Sequence, residues 1–271
     1  MFDLQMKRVW GPTPSYPLVK AYKNHLKHKI FIAGPCAVES VDSIWMIANK
    51  VANHGATHLR GGVFRAGTYP SAQFGLVPDE LLQAYRDASN YYRLKNIIEV
   101  LDYSDESIEK LSKYCDCFQV GARSQQNYTL LRKLGATGKP IFLKRNPGST
   151  LDEFLGSAEH VLKSQTKKDL YLIERGSSTF ENHTRWTLSI SMIAAIKAIT
   201  KVPIIVDASH GTGRFDLVEP MTLAGMAAGA DGCLVEVHND PRNSLSDADQ
   251  AIGFTDYKKL MVKINNMLEV V

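Results

Sequence analysis

From residue 30 onward the chain alternates short apolar runs with longer stretches of helical spacing, and it completes eight such pairs. The runs lie at 30–33, 58–63, 97–101, 118–121, 141–143, 170–173, 203–206 and 232–235. The helical stretches lie at 41–53, 79–94, 105–114, 126–133, 151–163, 185–198, 217–228 and 256–268. A strand that is apolar throughout is buried on both faces, and a helical crossover to the next strand makes their pairing parallel. Eight units in roughly 240 residues fit a closed (β/α)8 TIM barrel. An open doubly wound sheet is the rival, but no Gly-x-Gly-x-x-Gly follows any run to support it. Start signals agree with the helices. Ser40, Ser104 and Thr150 stand at N-cap positions, and Pro78 precedes Asp-Glu-Leu-Leu. Residues 1–29 read as a short N-terminal extension and 30–271 as a single barrel domain.

Composition narrows the class. Of the 271 residues 44% are hydrophobic, enough for a full core, so wholesale disorder is excluded. Lys and Arg number 32 against 28 Asp and Glu, with no basic run, which argues against nucleic acid as a partner. No apolar run reaches the roughly 18 residues of a membrane span. The opening MFDLQMKRVWGPTPSYP has no apolar signal core and breaks at Pro12. Four cysteines, Cys36, Cys115, Cys117 and Cys233, are too few for a disulfide scaffold, and none forms Cys-x-x-Cys. A cytoplasmic protein is expected.

In such a barrel the chemistry gathers at the carboxyl ends of the strands. The segments after the eight runs are GPCAVES, RGGVFRAGTYP, LDYS, GARSQQN, KRNPGS, ERGSSTF, DASHGTGR and EVHNDPRNSLSD. Arg60, Arg65, Arg123, Lys144 and Arg175 all fall there. Five cations converging on one mouth repel one another unless an anion lies between them, and a ligand with at least two anionic groups is expected. Cys36, His210, Glu236 and Asp247 lie at or beyond the ends of the first, seventh and eighth runs, where they can meet. A thiolate, an imidazole and two carboxylates suit a divalent ion such as Mn²⁺, Fe²⁺, Co²⁺ or Zn²⁺, although a cysteine after a first strand is more often packing and a lone histidine more often a satisfied polar residue. Asp207, three residues before His210, is placed to orient the imidazole. There is no Gly-x-Ser-x-Gly elbow. Lys144 among other cations keeps an imine-forming lysine open.

These loops carry a resemblance. IAGPCAVES at 32–40, LRGGVF at 59–64, VGARSQQN at 120–127, LKR at 143–145, ERG at 174–176, DASHGTGR at 207–214 and EVHNDPRNSLSD at 236–247 resemble 3-deoxy-D-arabino-heptulosonate 7-phosphate (DAHP) synthases, in particular their short type I group. The 3-deoxy-D-manno-octulosonate 8-phosphate synthases share part of the pattern. The resemblance implies condensation of phosphoenolpyruvate with an aldose phosphate, most directly erythrose 4-phosphate. By motif it implies Cys36, His210, Glu236 and Asp247 as metal ligands. It implies Arg123 and Arg175 on the phosphate of phosphoenolpyruvate, with Arg60 and Lys144 reaching its carboxylate and bridging region. Catalysis would then fall to Arg60, Arg65, Lys144 and His210. The family also implies a homodimer or homotetramer.

One loop departs from the family. Where its heptulosonate branch reads Lys-Pro-Arg-Thr, this chain has Arg65-Ala66-Gly67-Thr68. Thr68 is retained as a substrate contact, and Arg65 keeps the charge. Gly67 removes the arginine that grips the acceptor phosphate, a loss of about 1.5–3 kcal/mol per charged hydrogen bond. Arg145, Arg214 or a neighbouring subunit's arginine are the candidate replacements. A different or unphosphorylated aldehyde is therefore an alternative acceptor, and a non-catalytic phosphoenolpyruvate-binding barrel is an alternative of another class.

Overall fold

A computed structural model describes residues 15–65 and 75–270. The eight apolar runs form eight strands: β1 (Ile30–Gly34), β2 (His58–Arg60), β3 (Lys95–Glu99), β4 (Cys117–Val120), β5 (Ile141–Lys144), β6 (Leu170–Glu174), β7 (Ile204–Asp207) and β8 (Gly232–Glu236). All pair in parallel with their sequence neighbours, and β8 closes on β1 with Ile30 opposite Gly232 and Gly34 opposite Glu236. The expected closed barrel is what the chain forms.

Eight helices complete the crossovers: α1 (Val41–Asn53), α2 (Asp79–Tyr91), α3 (Asp105–Ser112), α4 (Tyr128–Ala136), α5 (Leu151–Ser164), α6 (Ile190–Ile199), α7 (Phe215–Ala227) and α8 (Phe254–Val270). Ser40 and Ser104 cap α1 and α3 by accepting from the amides three residues on, at 3.1 and 3.2 Å. Thr150 opens α5 in a full capping box with Glu153. Each such cap stabilises by about 1 kcal/mol.

Several boundaries differ from the sequence expectation, such as β2, which ends at Arg60 rather than 63, and two of the differences have a visible cause. β3 starts at Lys95, because Asn96 is buried with its side chain bonded to Tyr114 O, Ser89 Oγ and the Asp116 amide, so polar residues hide the strand's start. α6 starts at Ile190 rather than 185, because the amides of Arg185 and Trp186 bond to Thr212 O and Gly211 O instead of opening a helix.

Side chains alternate along each strand, so the barrel interior is layered. Ile30, Ile32, Ile97, Cys117, Phe142, Ile173, Ile205 and Leu234 fill an apolar floor. Two residues beyond the floor positions of β3 to β8 stand Glu99, Gln119, Lys144, Arg175, Asp207 and Glu236, and Arg60 stands two beyond His58 on β2. This second layer is polar and opens at the carboxyl end of the barrel.

Residues 16–29 pack along α5 and then onto the amino end of the barrel. Tyr16 bonds to Asp152, the Val19 amide to Glu159 Oε1 at 2.8 Å, and Lys29 Nζ to Ala230 O at 2.8 Å, while Leu26 packs on the floor cluster. Among the described residues no helix is long and apolar enough to cross a membrane.

Candidate active site

One half of the mouth collects acidic, thiol and imidazole groups. Cys36 follows β1, His210 sits in the helical turn Ala208–Thr212 after β7, Glu236 ends β8, and Asp247 lies in the loop before α8. Cys36 Sγ donates to Asp247 Oδ2 at 3.0 Å. The ligand atoms of Cys36, Glu236 and Asp247 all lie within 4.8 Å of one another. His210 Nε2 is 3.1 Å from Glu236 Oε1, and its Nδ1 is 2.9 Å from Asp207 Oδ2. Asp207 Oδ1 also accepts the His210 amide at 3.0 Å, so one carboxylate holds both the turn and the ring. Asp247 has φ +54°, a left-handed conformation that costs a non-glycine residue about 1–3 kcal/mol and is held where function needs it.

Cys36, Glu236 and Asp247 are spaced for a divalent ion, since donors bound at about 2.0–2.3 Å stand roughly 3–4.6 Å apart. His210 touches this cluster through Glu236 and falls outside the mutually close set of three. Burial raises the Glu236 carboxyl's pKa, but His210 and then Arg60 outweigh it and hold it well below the usual range. Burial, then the Glu236 charge, pushes the Cys36 thiol well above its usual range, with Asp247 adding to this and Arg60 opposing it. A cation among these groups would reverse that preference.

The other half collects the cations, and they divide into two kinds. Arg60 pairs with Glu236, Lys144 Nζ lies 3.0 Å from Asp207 Oδ2, and Arg145 Nη1 lies 3.1 Å from Glu174 Oε2. Arg175 and Arg123 have no carboxylate partner among the described residues. Arg175 is only 6% exposed, its Nε makes no hydrogen bond, and its guanidinium stacks 5.5 Å from the Trp186 ring. Arg123 is exposed on the turn Ala122–Ser124 after β4. Burial lowers the pKa of Arg175, with Arg185 adding and Asp207 opposing. A buried, unpaired guanidinium is costly, and an anion arriving from solvent offsets that cost.

This division corrects the argument from mutual repulsion. Arg60 and Lys144 are neutralised within the chain, so the demand for an anion falls on Arg175 and Arg123. The Lys144–Asp207 contact favours an ion-pairing role for Lys144 over imine formation. Arg145 also donates to Ser149 O at 2.7 Å and is buried, so it is no spare clamp for an acceptor. Arg214 is paired with Asp216 at 2.6 Å. Arg65 lies in a two-residue strand opposite Gly75–Leu76, and its side chain and Thr68 lie outside the described residues.

Several residues of the site had no clear signal in the sequence. Gln119 donates to Glu99 at 2.6 Å in the polar layer, and a count of two beyond the apolar floor would have found both. Gln250, Arg185 and Trp186 reach the site from loops, where no periodicity points to them.

Fold and site together define a TIM-barrel enzyme for an anionic substrate. Residues 23–270 match the model of the DAHP synthetase I family. A phospho-2-dehydro-3-deoxyheptonate aldolase of Thermotoga maritima is 39% identical over 88% of this chain and 69% of its own length. A 2-dehydro-3-deoxyphosphooctonate aldolase of Rhizobium meliloti is 25% identical over 86% of this chain and 87% of its own. Among solved structures, the Thermotoga maritima DAHP synthase superposes with a TM-score of 0.84 at 38% identity, over 90% of this chain and 70% of that one. A truncated form of the Thermotoga maritima enzyme gives 0.82 at 37% identity, over 90% and 87%. The chain belongs to the DAHP synthetase I family.

Proposed function

We propose that this chain condenses phosphoenolpyruvate with an aldose phosphate, erythrose 4-phosphate first among them, to give a 3-deoxy-ulosonate phosphate and inorganic phosphate. The single observation that carries the phosphoenolpyruvate half is the buried Arg175, without a carboxylate partner among the described residues, on the same rim as the exposed Arg123 two strands away. They would hold the phosphate, and Arg60 and Lys144 in the same polar layer would meet the carboxylate and the bridging oxygen.

Cys36, His210, Glu236 and Asp247 would hold a divalent ion, which supplies Lewis acidity toward the acceptor aldehyde. The remaining chemistry belongs to the chain. Carbon 3 of phosphoenolpyruvate bonds to the aldehyde carbon, water adds at carbon 2, and phosphate leaves by C–O cleavage. The arginines fix the reactant and carry the departing dianion. Lys144 Nζ, between Asp207 and His210 Nδ1 at 3.5 Å, holds a proton next to the reacting groups. Asp207 keeps the His210 Nδ1 proton in place, which leaves Nε2 free as a ligand.

Gly67 in place of the family's arginine favours a second reading of the acceptor alone: a different or unphosphorylated aldehyde. A pure binding barrel is disfavoured, because all four expected ligand residues remain and Cys36, Glu236 and Asp247 stand together. A homodimer or homotetramer in the cytoplasm is the expected setting. The test is phosphate release from phosphoenolpyruvate by Mn²⁺-loaded protein, with erythrose 4-phosphate, arabinose 5-phosphate and unphosphorylated aldoses in parallel. Turnover with erythrose 4-phosphate that disappears in Cys36→Ala and His210→Ala is the expected result. Silence with erythrose 4-phosphate but turnover with another aldehyde selects the second reading.

A further inference from the structure

Residues 184–187 form a strap laid across the site between β6 and the turn after β7. The Arg185 amide donates to Thr212 O at 2.8 Å and the Trp186 amide to Gly211 O at 3.1 Å, which ties the strap to the turn that carries His210. Ser177 and Thr187 exchange backbone bonds of 2.9 and 3.0 Å, which tie it to the loop that carries Arg175. Two glycines let it lie flat. A Cβ on Gly176, at φ +94°, would stand 2.6 Å from Trp186 Cβ, and one on Gly213, at φ +68°, would stand 2.6 Å from Arg185 Cβ.

The two adjacent side chains then diverge to opposite halves of the site. Arg185 Nη1 reaches Asp247 Oδ1 at 3.1 Å and Gln250 Oε1 at 3.3 Å. Gln250, 2% exposed, relays the contact by donating from Nε2 to Glu236 Oε2 at 2.5 Å. Each carboxylate thus has one oxygen fixed from outside. Its other oxygen turns inward, Asp247 Oδ2 to Cys36 and Glu236 Oε1 to His210. On the far side, the Trp186 ring lies against the Arg175 guanidinium, whose Nε has no hydrogen-bond partner.

We propose that Arg185 and Trp186 are positioning residues with separate duties. Arg185, through Gln250, sets the two metal-ligand carboxylates, and Trp186 sets the phosphate-binding arginine. The inference rests on the phosphoenolpyruvate-and-metal reading above. Arg185 is nearly half exposed, so its ion pair adds little stability and acts chiefly on orientation. Partners that orient metal ligands typically change metal affinity about 10- to 100-fold. A planar ring beside an arginine holds the guanidinium face by cation–π attraction and by stacking.

The experiment measures Co²⁺ affinity by competition with a chromophoric chelator, the Co²⁺ visible spectrum, and phosphoenolpyruvate binding by calorimetry. It uses the whole chain as wild type, Arg185→Gln, Gln250→Ala, Trp186→Ala and Trp186→Phe, with circular dichroism to verify folding. Arg185→Gln and Gln250→Ala are expected to weaken Co²⁺ about 10- to 100-fold and shift its absorption, with phosphoenolpyruvate affinity of the metal-free protein within about twofold of wild type. Trp186→Ala is expected to weaken phosphoenolpyruvate about tenfold at unchanged Co²⁺ affinity, and Trp186→Phe to restore most of the loss. Wild-type Co²⁺ affinity and spectrum in Arg185→Gln, or equal damage in Trp186→Phe and Trp186→Ala, overturns the inference. A wild-type protein that binds neither Co²⁺ nor phosphoenolpyruvate overturns the functional reading itself and the inference with it.

Discussion

Lys144 Nζ lies 3.0 Å from Asp207 Oδ2, and both side chains are buried at the mouth of the barrel. Asp207 therefore serves two neighbours, since it also holds the His210 ring. Removing it should strand the ammonium, and breaking a buried pair in this way costs about 3–5 kcal/mol. Asp207→Asn is expected to lower the urea midpoint sharply, and the double variant Asp207→Asn/Lys144→Met to recover much of it. Equal destabilisation in the single and double variants would show that the pair is not the source. Activity should stay low in both, because a neutral amide with a single acceptor oxygen holds the His210 ring less firmly than the carboxylate does.

Arg175 offers the opposite balance. It is buried without a carboxylate, so the ligand-free fold gains little from its charge. Arg175→Met is expected to leave the urea midpoint unchanged or higher. The same change should weaken phosphoenolpyruvate at least about 100-fold, since two charge-assisted hydrogen bonds are each worth about 1.5–3 kcal/mol. Calorimetry and urea unfolding on the same samples check both halves, and a strong loss of stability would mean that the guanidinium has a structural partner.

The barrel was legible because each strand is buried on both faces and each crossover is one helix, so the pattern repeats eight times. It blurred where a polar residue had an internal task. Asn96 bonds its neighbours inside the β2–β3–β4 layer and so hides the start of β3. Trp186 keeps a helical spacing to Ile190, and Leu188 to Met192, yet the strap's bonds to Gly211 and Thr212 exclude a helix at 185–187. Strand-end placement suggested the metal-ligand set and motif resemblance strengthened it, because residues separated by as many as 211 positions, from Cys36 to Asp247, carry no local periodicity. Least legible was the pairing of charges. Glu236 and Asp207 read as a ligand and its support, and only the fold shows them neutralising Arg60 and Lys144.

Glu174 fixes the loop that presents Arg175. Its Oε1 accepts from the amides of Gly176 at 2.9 Å and Ser189 at 3.2 Å, while Oε2 accepts from Arg145 at 3.1 Å. Glu174→Ala leaves two amides without partners and the buried Arg145 guanidinium, still bonded to Ser149 O, without its counter-charge, and a loss of about 3–5 kcal/mol is expected. Glu174→Gln keeps one acceptor oxygen and should lose less. Both should raise the KM for phosphoenolpyruvate more than they lower kcat, because the residue places a binding arginine. Steady-state kinetics at saturating acceptor separate the two, and a fall in kcat alone would contradict that role.

Acid stability is governed in part by His58. His58 is buried in β2 against Phe142, and burial, followed by the charge of Lys95, lowers its pKa to about 4, with Asp116 opposing. In the unfolded chain it titrates near 6.5. Between these values the unfolded chain binds the proton that the fold refuses, so stability rises with pH across that window. The contribution is whole above about 6.5 and is lost progressively as pH falls through 4. It amounts to about 3 kcal/mol for a shift of this size. The measurement is urea unfolding of wild type and His58→Gln from pH 7 to pH 4. The advantage of wild type over the variant should shrink by about 3 kcal/mol across that range, because only wild type carries the titrating ring. A pH-independent difference would mean that His58 takes up its proton in the fold as readily as in the unfolded chain.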